Sequence, residues 1–525
     1  MIINLSHNKI VATIERTKNT VVGALWGTIE KISSILLPFI VRTVLIKKLG
    51  SEYLGLSSLF SSILEVLNLT ELGFGAAAVF AMYKPIAEDD YCTTGAILEY
   101  LKKIYRVIGV ITIIFGVLFL PFLKYTISSG MPGDVNIYVL YIIYVFNTAI
   151  SYLLYAHKQS LLSALQLNYV INKITLFTNT IMRICQIVLL FMIPNYYIYA
   201  ILIPVFTIIS NVTCSYIVDK EYKEWFVHGT LDKTIRDDIK SRLFPLMSTK
   251  LASVLVNSAD TLVISAFLGL TQVAIYNNYY YIMNSISGFL IVIYGAMQAG
   301  IGNALVVDKH EKIMTDFKKF QFINNWVVTN FTVCLLCLYQ PFMELWVGKE
   351  MMLPFGMVVL FCTYFYANTI QRIVVIYKDA AGIWKEDMLR CYLSSGLNLV
   401  INIVTVRYIG LYGVIGSSVI ANLVGLPWMA YILYKIVFKE KSTKFYLQEA
   451  RDAFAAVIIC FIVWNCCRVA PTGFGGILVR GIICLSLCNI LLFLFNFKSR
   501  DYKASKKWVF GIVKRKAGLL NDNHR

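Results

Sequence analysis

"NLTELGFGAAAVFAMYKP", residues 68–85, sets Glu71 inside an apolar run, six residues after another carboxylate, Glu65. A soluble helix would turn both acids to water. This chain has little water to offer them: of its 525 residues 58% are hydrophobic and 15% charged, where soluble domains carry about 25% charged residues. A helix needs about 20 apolar residues to cross a bilayer. Lipid cannot satisfy open backbone groups, so long apolar runs must be helical. The composition therefore predicts an all-α integral membrane protein.

The hydrophobic runs predict about fourteen transmembrane helices, near 21–46, 54–82, 104–123, 136–156, 174–193, 196–217, 243–267, 273–303, 320–340, 354–377, 389–407, 412–436, 452–469 and 475–497. An even count leaves both termini on one side. Lys and Arg favour cytoplasmic loops, and an inside N-terminus assigns 37 of the 48 basic residues to inner segments and seven to outer connections. The net charge of +18 thus follows from orientation, and no nucleic-acid partner is called for. The first 20 residues are polar and basic, unlike a cleaved leader.

Short motifs recur in order. "LGSEYLGL" (49–56) answers "LGLTQVAI" (268–275), and "GFGAAAV" (73–79) answers "GIGNALV" (300–306). "LPFLKY" (120–125) answers "QPFMEL" (340–345), and "FNT" (146–148) answers "ANT" (367–369). The offsets are 219, 227, 220 and 221 residues. This predicts a duplicated unit of six helices with a pseudo-twofold axis along the membrane normal. The expected parts are an N-terminal tail (1–20), an N-lobe (21–217), a cytoplasmic loop (218–242), a C-lobe (243–436), two further helices (437–497) and a basic tail (498–525). Aromatic and aliphatic residues within that tail suit an anionic membrane surface, although unspecific tail charge explains it equally well.

Catalytic motifs are not apparent. Eleven of the twelve cysteines lie in or beside apolar runs, where a thiol packs as a small hydrophobe. Cys334 and Cys337 form a CxxC without a second pair or a neighbouring His. No metal, cofactor or enzymatic activity is expected.

The polar residues inside helices form stripes. At about 100° per residue, Glu65, Asn68, Glu71 and Gly75 share a face, as do Lys31, Ser34, Pro38 and Arg42. Asn172, Asn179, Arg183 and Gln186 form a third stripe, and Lys250, Ser253, Asn257 and Thr261 a fourth, with Asp260 at its edge. Arg372 follows Asn368 on a later helix. A charge at mid-bilayer costs about 2.5–3.5 kcal/mol, so each needs a partner or a wet cavity. Lys31 and Glu71 lie at similar depth and could simply neutralise each other. The stripes predict a polar, mostly cationic central cavity lined by Arg42, Lys31, Arg183, Lys250, Arg372, Asn179 and Asn257. Glu65, Glu71 and Asp260 would act in it as counter-charges or proton carriers. Cationic walls favour an anionic substrate, and the arginine fork suits phosphate.

The stretch "RTVLIKKLGSEYLGLSSLFSSILEVLNLTELGFGAAAVFAMYKPIAEDD" (42–90) resembles the opening of bacterial polysaccharide (O-antigen, Wzx-type) flippases. These belong to the multidrug/oligosaccharidyl-lipid/polysaccharide exporter superfamily. "PFMELWVG" (341–348) and "GLYGVIGSSVIANLVG" (410–425) look like later segments of the same family. The resemblance implies a two-lobed, MATE-like bundle in the bacterial cytoplasmic (inner) membrane, with two additional C-terminal helices. Its substrate would be an undecaprenyl-diphosphate-linked oligosaccharide for O-antigen, capsule or exopolysaccharide. Coupling to H+ or Na+ and contact with membrane lipids and other polysaccharide-assembly proteins are also implied. Arg42 matches the motif directly, whereas Arg183 and Arg372 rest on periodicity alone. A MATE-like drug or metabolite antiporter is the first rival; it would have twelve helices and an acidic cavity. A polytopic glycan polymerase or ligase would need a large outer loop, and the longest here is about a dozen residues.

Overall fold

The computed structural model describes residues 2–68, 74–227, 229, 231–508 and 510–511. Within these, the side chains at 2–21, 24, 238, 240–253, 255–257, 292, 296, 299 and 306 are outside the description. The chain is all-helical. The first half runs α1 (Ile2–Lys48), α2 (Ser51–Leu67), α3 (Phe74–Ala87), α4 (Tyr91–Leu123), α5 (Ile137–Leu153), α6 (Ala156–Ala164), α7 (Asn168–Met192) and α8 (Tyr196–Glu221). The second runs α9 (Lys233–Leu268), α10 (Leu270–Val307), α11 (His310–Val347), α12 (Phe355–Ile370), α13 (Arg372–Ala380), α14 (Met388–Ile409), α15 (Leu411–Leu433), α16 (Thr443–Cys467) and α17 (Gly473–Asn496).

The fourteen expected helices map in order onto these elements. Among the described residues nine are long and apolar enough to cross a membrane, or ten if α5 and α6, bent by 49°, count as one span. The other expected crossings fall on α1, on α2 and α3 either side of residues 69–73, and on α9 and α10. The expected helix at 136–156 gives way at its end to the bent pair α5–α6, whereas that at 354–377 is one span in which Gln371 separates α12 from α13. Tyr155 makes the first break in the left-handed region, at φ 61°. Several helices begin well before their lipid crossing: α4 at Tyr91, α9 at Lys233, α11 at His310 and α16 at Thr443. Hydropathy registers only the part in lipid. The predicted loop 218–242 accordingly shrinks, because its charged second half is the first turns of α9.

The duplication is visible in the backbone. Gly50, between α1 and α2, has φ 122°, and Gly269, between α9 and α10, has φ 89°. Gly130 (φ 76°) and Gly348 (φ 88°) follow α4 and α11. The α5–α6 pair and the α12–α13 span each end in a nine-residue helix, α6 or α13. Glycine joints and a nine-residue helix thus recur in the same order in both halves of the sequence, and α16 and α17 follow them.

By compactness the chain divides at 277/278, whereas the sequence divided it at 218–242. The reason lies in α9, which packs along α2 and α3 of the first compact unit. In that unit the segment after α8 folds back on α4. Trp225 is buried and lies 4.4 Å from the ring of Tyr91, and a Cβ on Gly95 would sit 2.1 Å from the carbonyl of Val227. Only glycine permits that approach. Lys158 of α6 is buried and places Nζ 2.6 Å from both carboxylate oxygens of Asp219 on α8.

In the second unit α11 packs against α12, α16 and α17. The tail after α17 is helical at 500–508. Tyr502 stacks on Trp326 at 5.9 Å, and Trp508 meets the edge of Phe320 at 5.5 Å.

Candidate functional site

α2, α5, α7 and α8 enclose a cavity of about 450 Å³ in the first unit. Asn136 and Asn195 set the entry of two of its walls, each accepting hydrogen bonds from the first free amides of α5 and α8. Arg183 of α7 reaches the cavity alongside Glu65, Asn68, Tyr144, Asn147 and Tyr199. Its Nη1 donates to Gln186 Oε1 at 2.9 Å, and Gln186, fully buried, donates Nε2 to the carbonyl of Tyr199 at 3.3 Å. The guanidinium is thus oriented by a neutral amide. Among the described residues it has no carboxylate partner within ion-pair distance. A cation held this way keeps donors for an incoming anion.

Glu65 lines the same cavity and accepts from Ser258 Oγ of α9 at 3.0 Å. Asn68 Oδ1 is buried and has no hydrogen-bond partner among the described residues. Tyr144 Oη lies 3.0 Å from Ser57 Oγ and 3.1 Å from Tyr196 Oη, forming a hydroxyl relay along one wall. The cavity is therefore polar and wettable, with one arginine and one carboxylate among its described lining residues.

The other expected residues are distributed more widely. Arg42 is half-buried on α1, with Nη1 3.5 Å from the carbonyl of Asn277, and it lies within electrostatic reach of Tyr199. Lys31 and Asn179 are exposed on α1 and α7. Asp260 is buried on α9 and accepts from Tyr276 Oη at 2.8 Å. Arg372 opens α13 at the break in the second unit, in the electrostatic field of Tyr294, Tyr364 and Tyr280. Glu71 lies outside the described residues, as do the side chains of Lys250 and Asn257 on α9, so the Lys31–Glu71 pair is not among the contacts described.

Two groupings escaped the sequence. Gln186 had the right face but gave no sign that it orients Arg183. The thiols of Cys337, Cys467 and Cys484, from α11, α16 and α17, gather within 4.8 Å of one another, although the CxxC showed no partners in the sequence. They are wholly buried among Val333, Ile459, Val463 and Leu492. Neutral thiols packed as small hydrophobes account for that setting.

The model of the polysaccharide biosynthesis protein family matches residues 20–298, more than half of the chain. The chain belongs to this family.

No curated protein gives a significant sequence match. Solved structures supply the fold of this polysaccharide biosynthesis protein. It is similar to the lipid II flippase MurJ in an inward closed conformation, with a TM-score of 0.62 and 16% identity over 92% of this chain and 98% of that one. A multidrug resistance MATE family transporter of the MOP superfamily, inward-facing, gives 0.61 and 14% over 78% and 98%. The Vibrio cholerae MATE transporter VcmN, in a mutant form, gives 0.54 and 16% over 82% and 100%. At these identities the likeness establishes the fold, a MATE/MurJ-like bundle of a multi-pass integral membrane protein.

Proposed function

We propose that this member of the family is a flippase. It moves undecaprenyl-diphosphate-linked oligosaccharide repeat units across the bacterial cytoplasmic membrane for cell-surface polysaccharide assembly, by alternating access. The observation that carries the reading is Arg183, which lines a polar cavity and is held, among the described residues, by the neutral groups of Gln186 and Tyr199 rather than by an acid. A planar guanidinium with free donors binds a diphosphate bidentately, while the polyprenyl tail stays in lipid. Arg42 on the neighbouring helix adds positive potential. Glu65 and Asp260 supply groups able to take up H+ or to hold Na+ for coupling. Family membership and the MurJ-like fold support the same reading. Lys31, Asn179, Lys250, Asn257, Arg372 and Glu71 remain proposed participants on the strength of their helical faces.

The test is reconstitution. Proteoliposomes loaded with lipid-linked oligosaccharide from the source cells should expose the glycan to an impermeant lectin on the opposite leaflet. Arg183→Ala should stop this while the protein remains inserted. Unchanged exposure with Arg183→Ala, or efflux of cationic drugs in its place, would favour the antiporter reading.

A further inference from the structure

A second, larger cavity of about 770 Å³ lies in the same unit, between α3, α4, the α5–α6 break, α7 and α8. That volume is within the range of small-molecule sites. No described lining residue is charged. Lys158, next in sequence to the lining residue Gln159, turns its ammonium away to Asp219 and Ser215. The walls instead combine aromatic faces with neutral amides. Tyr105 and Tyr152 stack at 6.0 Å and 22°, and Phe80 and Tyr83 of α3 add an edge-on pair at 6.0 Å. Gln159 Nε2 donates to Asn211 Oδ1 at 3.0 Å, and Asn211 Nδ2 donates to the carbonyl of Ser151 at 3.3 Å. At the exposed mouth Asn168 accepts from Ser163 Oγ at 3.0 Å.

This lining suits one ligand chemistry. A pyranose ring presents a C–H face that packs on an aromatic ring and a rim of hydroxyls that both donate and accept. Primary amides do the same in a planar pair. An anion or a cation finds no counter-charge here, and an aliphatic chain would set hydrocarbon against the polar side chains of Ser151, Gln159, Ser160 and Asn168. We infer that this cavity is a saccharide subsite, which holds uncharged sugar rings of the glycan whose diphosphate sits at Arg183. The inference rests on the flippase reading.

The two cavities are consecutive along the same helices. On α5 the first uses Asn147 and Thr148, and the second Ser151 and Tyr152, one turn on. Between them Thr207 Oγ1 of α8 donates to Asn147 Oδ1 at 2.7 Å. Along α7 Arg183 stands twelve residues from Ile171, about 18 Å at 1.5 Å per residue. A short oligosaccharide attached to a diphosphate at Arg183 is long enough to reach the level of Ile171.

The experiment compares two probes on purified protein in lipid nanodiscs: bare undecaprenyl diphosphate, and lipid-linked oligosaccharide extracted from the source cells. The wild type should bind the glycosylated probe more tightly, by about three- to ten-fold for one stacked ring and its hydrogen bonds. Tyr152→Leu and Asn168→Ala should each erode that difference and leave bare-lipid binding intact, which also reports that they fold. Arg183→Ala should weaken both probes. Equal binding of the two probes by the wild type, or a preserved difference in both subsite variants, overturns the subsite. Arg183→Ala without effect on bare-lipid binding overturns the flippase reading instead.

Discussion

Ser258 Oγ donates to Glu65 Oε2 at 3.0 Å, tying α9 to the carboxylate that shares a cavity with Arg183. The acid therefore sets the local field without neutralising the guanidinium directly. Glu65→Gln keeps the shape and an acceptor for Ser258 while removing one negative charge. It should tighten binding of undecaprenyl diphosphate several-fold, read by titration in nanodiscs. Weaker binding would mean that Glu65 positions the arginine.

Arg183 itself should be only partly replaceable. A hydrogen bond to a charged group contributes about 1.5–3 kcal/mol, so Arg183→Ala should raise the Kd for undecaprenyl diphosphate by ten-fold or more. Arg183→Lys restores the charge but not the fork, and should recover a minor part. Equal recovery by Lys and Arg would remove bidentate recognition from the account.

Helix contact makes a steric prediction. A Cβ on Gly55 of α2 would lie 2.1 Å from the carbonyl of Leu270, while one on Gly481 of α17 meets nothing within 4 Å. Gly55→Ala should cost about 1–3 kcal/mol through overpacking and lower the Tm in detergent. Gly481→Ala is the control and should hold or raise it. Matching Tm values for the two variants would show that the α2–α10 joint gives way easily.

Acid should loosen the second unit at Asp387. This carboxylate is almost wholly buried, accepts from Arg390 and lies 2.8 Å from Lys378 Nζ. Burial pushes its pKa up, but the hydrogen bond and charge of Arg390, with those of Lys378, prevail and hold it below the ordinary value of 3.8. A carboxylate depressed in the folded state contributes stability above its unfolded pKa, and that contribution is lost as pH falls through the folded value. Thermal unfolding should therefore show a loss of stability below about pH 4. Asp387→Asn, which leaves buried cations short of a partner, should cost about 3 kcal/mol at neutral pH and flatten that acid limb. An acid limb unchanged in the variant would assign it to other groups.

Orientation is open to direct chemistry. On a cysteine-free background an impermeant thiol reagent applied outside should label a cysteine at 349 and spare one at 228. Labelling at 228 would reverse the proposed topology.

The order of helices was legible because lipid leaves the backbone no alternative to a helix, and hydropathy follows the lipid. The same signal fails where lipid ends. The first turns of α4, α9, α11 and α16 carry charge and look like loop, yet the helices continue through them because nothing there breaks the hydrogen-bond ladder. The recurrence of "LGSEYLGL" and "LGLTQVAI" was readable because Gly50 and Gly269 carry positive φ, which few other residues accept. The breaks at Tyr155 and Gln371 were not, since neither residue type announces a turn. Periodicity put Arg183 and Gln186 on one face, but the contact between them depends on rotamers. Asn179 shares that face but stands one turn from Arg183, exposed and outside the cavity lining.

The tail that lies against α11 bears on how the chain is made. Tyr502 and Trp508 are synthesised roughly 180 residues after their ring partners, Trp326 and Phe320. Each crossing can enter the bilayer as it is synthesised, but this clamp closes only once the segment beyond α17 has been made. A product terminated just after α17 would thus be inserted in full and still present an uncovered aromatic seam on α11, the kind of surface that membrane quality-control proteases recognise.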